Sequence, residues 1–478
     1  MDTKRYRLSK SDLKLYLDCP RHLWARAHGQ LNEAPTELET HFFNEGMHAE
    51  SLAQEYLRTY LLPQHPGAFL STQQGYSDGP FFARVDALLC GLQGGGCALI
   101  EIKSSTKIDK EDRYDAIFQA LILKEQCDLR KVYILHLDKS YRRGQDLDLQ
   151  NLFKLEEIDF DSELANEVRG YREAALAVAL NPDVLASEAC YDPRNCPCPD
   201  LCHPNLPTPS IYEIPRILKA EKRKLRASGW EAIADLPLDH PLNEKQRIVA
   251  QVLREGKAYL NLEALRERLE NLSWPLWFLD YETCKAAVPR YPGYGPQQDI
   301  VFQYSLHKLQ APHAVAEHFE ALYLGPDEPS LALANQLREE LGEFGSIIVW
   351  HETFEMGRNR EMAELHPRHA AFLEGVNDRV FDLEKVIADA VYWHPDFKGS
   401  SSIKYVLPVM LPAYSYTKLN IQHGGQATAA WQRTCDTLTL AEDREAIRSD
   451  LLAYCHLDSL AMLEIYRRLR SLAGMDPA

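Results

Sequence analysis

The chain has 478 residues, of which 45% are apolar and 26% charged, with a formal net charge of −17. That length accommodates about two to four domains of ordinary size, each with a proper apolar core. The negative charge argues against a protein that coats nucleic acid nonspecifically, although clustered metal-binding carboxylates add to such a sum.

The N-terminal stretch MDTKRYRLSKSDLKLYLDCP lacks the apolar run of a signal peptide. No later segment could span a bilayer, so a cytoplasmic location is expected. Eleven cysteines, an odd number, point to free thiols or metal ligands rather than a disulfide framework.

Ser9 or Ser11 can cap a first helix, LKLYLDCPRHLWARA, with Cys19 inside it just before Pro20. A second helix is expected from Asn44 to Leu61, with His48 near its start. Ala83 to Lys103 reads as two apolar strands joined by the glycine-rich turn Gly91 to Gly96. Alternation places Glu101 and Lys103 on one strand face, with Ile102 turned into the core. With Asp86 on that face, two carboxylates and an ammonium converge where a divalent cation could sit. An isolated D…ExK pattern suits a surface ion pair equally well. Then follow a helix from Arg113 to Gln126 containing Gln119, a buried strand from Lys131, and a helix from Asp161 to Leu180.

In CYDPRNCPCPDLC, the cysteines Cys190, Cys196, Cys198 and Cys202 lie among prolines that forbid a long helix. This density predicts a metal site, with zinc and an iron–sulfur cluster as candidates. No CxxC pair occurs, so three ligands from this stretch plus one distant cysteine fit a cluster better. Prolines 204, 207, 209 and 215 then mark a linker. Its basic helix carries Lys219, Lys222, Arg223, Lys224 and Arg226, either a backbone-phosphate contact or a solvated face.

The second half opens on the strand PLWFLDYET, whose Asp280 and Glu282 share one face. Two such carboxylates repel each other unless a cation sits between them. IVFQYSLHKL and VAEHFEALY suggest an antiparallel meander, and SIIVWHETFEMGRNREMA a strand running into a helix with Glu355 at its start. Near the end, YCHLDSLAMLEIYRRL is an amphipathic helix with Tyr454 and Asp458 adjacent at i and i+4.

SDLKLYLDCPRHLW, EGMH, RVD, EIK, the Gln119 helix and the cysteine knot together resemble a RecB-family nuclease of the PD-(D/E)XK superfamily. More narrowly, they are similar to the iron–sulfur members of that family. The resemblance implies a [4Fe–4S] cluster on Cys19, Cys190, Cys196 and Cys202, leaving Cys198 as a surplus thiol. It also implies a Mg²⁺ or Mn²⁺ site at His48, Asp86 and Glu101, with Lys103 positioning the attacking water. The tyrosine that often follows the family's helix glutamine is replaced by Leu123. The second half resembles the DEDD exonucleases of the RNase H-like fold, tyrosine subclass. That resemblance implies metal binding by Asp280, Glu282, Glu355 and Asp458, with Tyr454 orienting water. Glu355 stands where that class has aspartate. SSIKYVLP and LNIQHGGQATAAW are similar to stretches of bacterial proteins of unassigned function that fuse the same two halves.

The expected class is α/β. A PD-(D/E)XK restriction-endonuclease-like domain with an Fe–S staple spans 1–207, a helical basic linker 208–273, and an RNase H-like domain with a mixed sheet 274–472. The expected function is a metal-dependent nuclease acting on DNA or RNA, with a single strand or 3′ end favoured. The alternatives are a catalytically degenerate nucleic-acid-binding or assembly module, and a zinc-stapled protein acting on something else.

Overall fold

The computed structural model describes residues 6–31, 34–160, 163–184, 191–436 and 438–475. The chain forms two compact units, both mixed α/β: Met1–Asn205 with Ala286–Gln298, and Leu206–Lys285 with Asp299–Ala478. Residues 208–273, expected as a linker, therefore fall in the second unit. Among the described residues, no helix is long and apolar enough to cross a membrane.

In the first unit, Ser9 caps helix α1 (Lys10–Asp18) in a reciprocal pair with Asp12. The single helix expected through Cys19 is two helices. Pro20 disfavours helical backbone at the residue before it, so Cys19 is extended (φ −155°, ψ 122°) and α2 (Pro20–Ala27) starts afresh. Helix α3 (Glu37–Tyr56) begins earlier than the expected Asn44 because Thr36 and Glu39 form a capping box, which places His48 mid-helix.

Strands β1 (Phe69–Asp78), β2 (Phe81–Cys90), β3 (Cys97–Lys103), β4 (Leu129–Leu137) and β5 (Phe153–Glu157) form one sheet in that order. All neighbours are antiparallel except β3 and β4, which are parallel and linked through helix α4 (Lys110–Leu123). Alternation along β3 sends Leu99 into a core with Ile117 and Phe118 of α4, and Ile100 and Ile102 into one with Ala49 and Ala53 of α3. Cys90 and Cys97 face each other across the hairpin and form a disulfide. That pair departs from the expectation of free thiols, because direct cross-strand pairing puts their Cα atoms 4.1 Å apart. Helix α5 (Glu163–Leu180) closes the α4 side.

The excursion Ala286–Gln298 folds as part of this unit. Glu45 of α3 accepts hydrogen bonds from the Ala287 N–H and the Arg290 guanidinium, each at 2.8 Å. Gln297 donates to the Ser104 carbonyl at 2.7 Å, immediately after Lys103.

The second unit begins with helices α6 (Lys219–Ala227), α7 (Glu244–Glu255) and α8 (Leu262–Glu270). Strands β6 (Leu276–Lys285), β7 (Asp299–Leu309) and β8 (Glu317–Leu322) form the expected antiparallel meander. Strand β9 (Ile347–Val349) adds parallel to β6, and β10 (Val380–Asp382) parallel to β9, giving the order β10-β9-β6-β7-β8. Helices α9 (Ser330–Glu340), α10 (Glu352–Leu365), α11 (Ile403–Met410), α12 (Gly424–Thr434) and α13 (Ala441–Leu472) pack around this mixed sheet. One side of the core interleaves Leu279, Tyr281 and Val301 with Leu333, Ile347 and Met362.

The entry to β9 depends on Gly345, whose φ is +93° and where a Cβ would stand 1.9 Å from the Pro275 carbonyl oxygen. Gly345→Ala is expected to cost about 3 kcal/mol or more, combining left-handed strain with a backbone clash. Gly229→Ala, at φ +78° but with nothing within 4 Å, should cost only about 1–2 kcal/mol. Urea denaturation followed by circular dichroism measures both.

Candidate active sites and thiol centre

In the second unit the pleat of β6 places Asp280 and Glu282 on the same face, opposite Ser305 and Gln303 of β7. The first turn of α10 brings Glu355, and α13 brings Tyr454, Cys455 and Asp458. The four expected metal carboxylates are thereby gathered into one pocket. Glu355 is 2% exposed, and Glu282 and Asp458 are each 7% exposed. Burial, then the fields of Asp458, Glu282 and Glu355, pushes Asp280 well above the usual carboxylate range. Glu282 is raised by burial and by Asp458, with the Lys404 ammonium of α11 partly opposing. Burial also raises Asp458 to about 6, although hydrogen bonds from Tyr416 and Tyr454 and the charge of Lys404 pull the other way. Glu355 is pushed up chiefly by burial, and its buried Oε2 has no hydrogen-bond partner.

Such a pocket is a concentration of negative charge held out of water, and an orphaned carboxylate oxygen in it requires a cation or a proton. The donor set is all oxygen, apart from the Cys455 thiol 3.6 Å from Asp280 Oδ2. It fits hard divalent cations such as Mg²⁺ or Mn²⁺. Three of its members escaped the sequence reading. Tyr416 donates to Asp458 at 2.5 Å, and Lys404 lies 5.9 Å from the rings of both Tyr416 and Tyr454. Cys455 is hidden beside Tyr454 in a helical run. The SSIKYVLP stretch signalled Lys404 without giving it a role. Asp382, at the end of β10, is occupied in capping α10 by accepting the His351 and Glu352 N–H groups.

In the first unit Asp86 and Glu101 do come together. Asp86 Oδ2 accepts the Ile102 N–H at 3.0 Å, so it lies against the strand that carries Glu101. Glu101 is 1% exposed and is bonded by Gln119 and by Lys10, at 2.7 Å for the latter, with Lys103 3.2 Å away. Burial and the Glu101 charge raise Asp86 to about 7. For Glu101 burial pushes upward, but Lys10 and Lys103 outweigh it and hold the carboxyl at about 2. Lys103 also bonds Asp115 at 2.5 Å. Lys10 and Asp115 are site members that the D…ExK pattern does not include.

His48 is exposed on α3 and, among the described residues, makes no hydrogen bond or ion pair with these acids. The link from α3 runs instead through Glu50. Glu50 accepts from Gln73 at 2.5 Å, and Gln73 in turn reaches Asp86 Oδ1 at 3.4 Å. Gln73 has a φ of +57° in β1, a bend opposite Asp86 that the sequence does not announce.

Cys19, Cys196, Cys198 and Cys202 are all buried. The free thiols Cys19 and Cys202 are hydrogen-bonded to each other, Cys198 contacts both Cys196 and Cys202, and the His22 ring lies 3.6 Å from the Cys196 Sγ. Contact with Cys202, then burial, pushes the Cys19 thiol up, and burial pushes Cys198 up. The expected ligand Cys190 lies outside the described residues. Cys198, set aside as surplus, stands within the group, because the turn at Pro199–Cys202 folds it back over Cys202. Four soft donors in one buried knot suit zinc or an iron–sulfur cluster. On the basic helix α6, Lys224 and Arg226 lie 3.4 and 3.7 Å from Glu221 and Glu231, as on a solvated charged face.

A family model described as "Domain of unknown function (DUF2779)" matches residues 277–402. The match contains Asp280, Glu282 and Glu355 and ends before Lys404 and α13. No curated protein and no solved structure matches the chain.

Because Asp458 titrates near 6 in the fold against an ordinary 3.8, folding is penalised as pH rises through that window and relieved below it. In chelator, Asp458→Asn should exceed wild type in melting temperature by roughly 2–5 °C at pH 8 and by about half as much at pH 5, the two converging only below about pH 4. Added Mg²⁺ should close the gap. Calorimetric melts across pH 5 to 8 provide the check.

Proposed function

We propose that the protein is a metal-dependent nuclease with a 3′–5′ exonuclease centre in the second unit. The observation that carries this reading is the convergence of Asp280, Glu282, Glu355 and Asp458 in one buried pocket beside Tyr454 and Lys404. Asp280, Glu282 and Asp458, with Glu355 across the pocket, are the residues that would hold two divalent ions. Bound there, such ions supply charge neutralisation at a scissile phosphate and lower the pKa of water. Tyr454 donates toward Asp458 and would orient an attacking water. Tyr416 fixes the Asp458 carboxylate through its own hydroxyl, so the helix acid keeps one rotamer. Lys404 supplies the nearby positive charge that favours an approaching phosphate.

The first unit carries the PD-(D/E)XK-like pair in the same reading, with Lys103 as the ammonium beside Glu101. One observation favours a second reading of this unit alone, as a nucleic-acid-binding module. The Lys10 ammonium lies 2.7 Å from Glu101 and 3.9 Å from Asp86, bridging the two acids between which a metal would be held. The cysteine knot is read as a [4Fe–4S] or zinc staple that ties Cys19, between α1 and α2, to the end of the unit.

End-labelled DNA and RNA, single- and double-stranded, incubated with Mg²⁺ or Mn²⁺ test the proposal. Asp280→Ala should slow mononucleotide release by at least about a hundredfold. Glu101→Ala should remove a separate activity or, under the second reading, leave products unchanged. An Asp280→Ala protein with wild-type degradation would overturn the exonuclease reading. For the knot, protein purified without oxygen should show visible charge-transfer absorption and acid-labile sulfide if it holds a cluster. Cys198→Ser should lower its iron content.

A further inference from the structure

The sheet face that presents Asp280 continues sideways into a second group of ligand-type side chains. Across the meander, Ser305 pairs with Asp280, His307 with Phe278, and His318 of β8 with His307. By the pleat, Ser305, His307 and His318 lie on the Asp280 face. Helix α13 packs on β7 and β8 and lowers His456 onto them, two residues before Asp458. The three imidazole centroids are 4.4, 4.9 and 4.3 Å apart. One ring nitrogen from each histidine lies within 4.8 Å of the other two.

Inside this group, His456 Nδ1 and His318 Nε2 face each other at 3.2 Å. Hydroxyls surround them: Ser305 is 2.9 Å from His318 Nε2, Ser459 is 2.8 Å from His307 Nδ1, and the two hydroxyls are 2.6 Å apart. The Glu320 carboxylate stands 3.8 Å from His318. Burial and neighbouring rings push His307 down to about 3 and His318 to about 4, with Arg467 contributing at His307.

We propose that His307, His318 and His456 form a binding site for a borderline divalent cation of the zinc class, separate from the carboxylate centre. Neutral imidazoles suit Zn²⁺, whereas Mg²⁺ prefers the oxygen donors around Asp280. Ser305 and Ser459 then serve as outer partners that fix ring orientation, as such partners do at metal-bound histidines. An ion there would pin the middle of α13 to β7 and β8, one turn or less from Tyr454 and Asp458. The site is thus a stabiliser of the helix that carries Tyr454 and Asp458.

The test uses the full chain, stripped with chelator and held in excess Mg²⁺ to occupy the carboxylates. Zn²⁺ and Co²⁺ are titrated into wild type, His318→Gln and His456→Gln, with melting temperature read in parallel. The two variants are at the more accessible rings, and melts without zinc verify that they fold. Wild type should bind one more equivalent of Zn²⁺ than either variant, or bind it at least tenfold more tightly, and only wild type should gain the associated thermal shift. The extra Co²⁺ equivalent should give d–d bands without the thiolate charge transfer that marks the cysteine knot. Equal stoichiometry, affinity and thermal shift in all three proteins would overturn the proposal.

Discussion

Mutual repulsion among buried carboxylates is the constraint on which the second unit turns. A strand end that buries Asp280 and Glu282 together is unfavourable by itself, and adding Glu355 and Asp458 makes it more so. The fold maintains the arrangement by surrounding it with apolar strands and by aiming Tyr416, Tyr454 and Lys404 at the acids. The cluster is stable only when something positive, whether protons or metal ions, joins it.

The first unit resolves the same problem differently. Glu101 is as buried as any of those acids, yet two ammonium groups and a glutamine amide satisfy it. Its carboxyl is held low while that of Asp86 is forced up, so the pair shares its charge unequally. One centre is electrostatically open and the other internally compensated. That difference is physical grounds for expecting the two units to respond differently to divalent ions.

Legibility in the sequence followed the range of the physics. The β2–β3 hairpin, the meander and the i, i+4 pairing of Tyr454 with Asp458 are set by local alternation and periodicity, and all three stand in the structure. The break at Cys19 was present as Pro20 but overlooked, as was the Thr36–Glu39 cap that moves His48 away from the start of α3. Lys10, Tyr416 and Glu50 reach their sites across long stretches of chain, and nothing in their neighbours in sequence marks them. Cys198 is surplus by the family resemblance alone, and the short turn that folds it inward is a tertiary event. The His307, His318 and His456 group has the same character: three unremarkable histidines on three elements, visible only when the strands are in register.

The excursion Ala286–Gln298 leaves the end of β6, a few residues beyond Glu282, and completes the first unit before the chain returns to form β7. Chain order and architecture are thereby interleaved. No single cut yields the amino-terminal body intact, since a fragment ending near Asn205 lacks the partners of Glu45 and the donor to Ser104. Separating the two bodies at that boundary would strip the strap from the first unit unless those contacts were rebuilt.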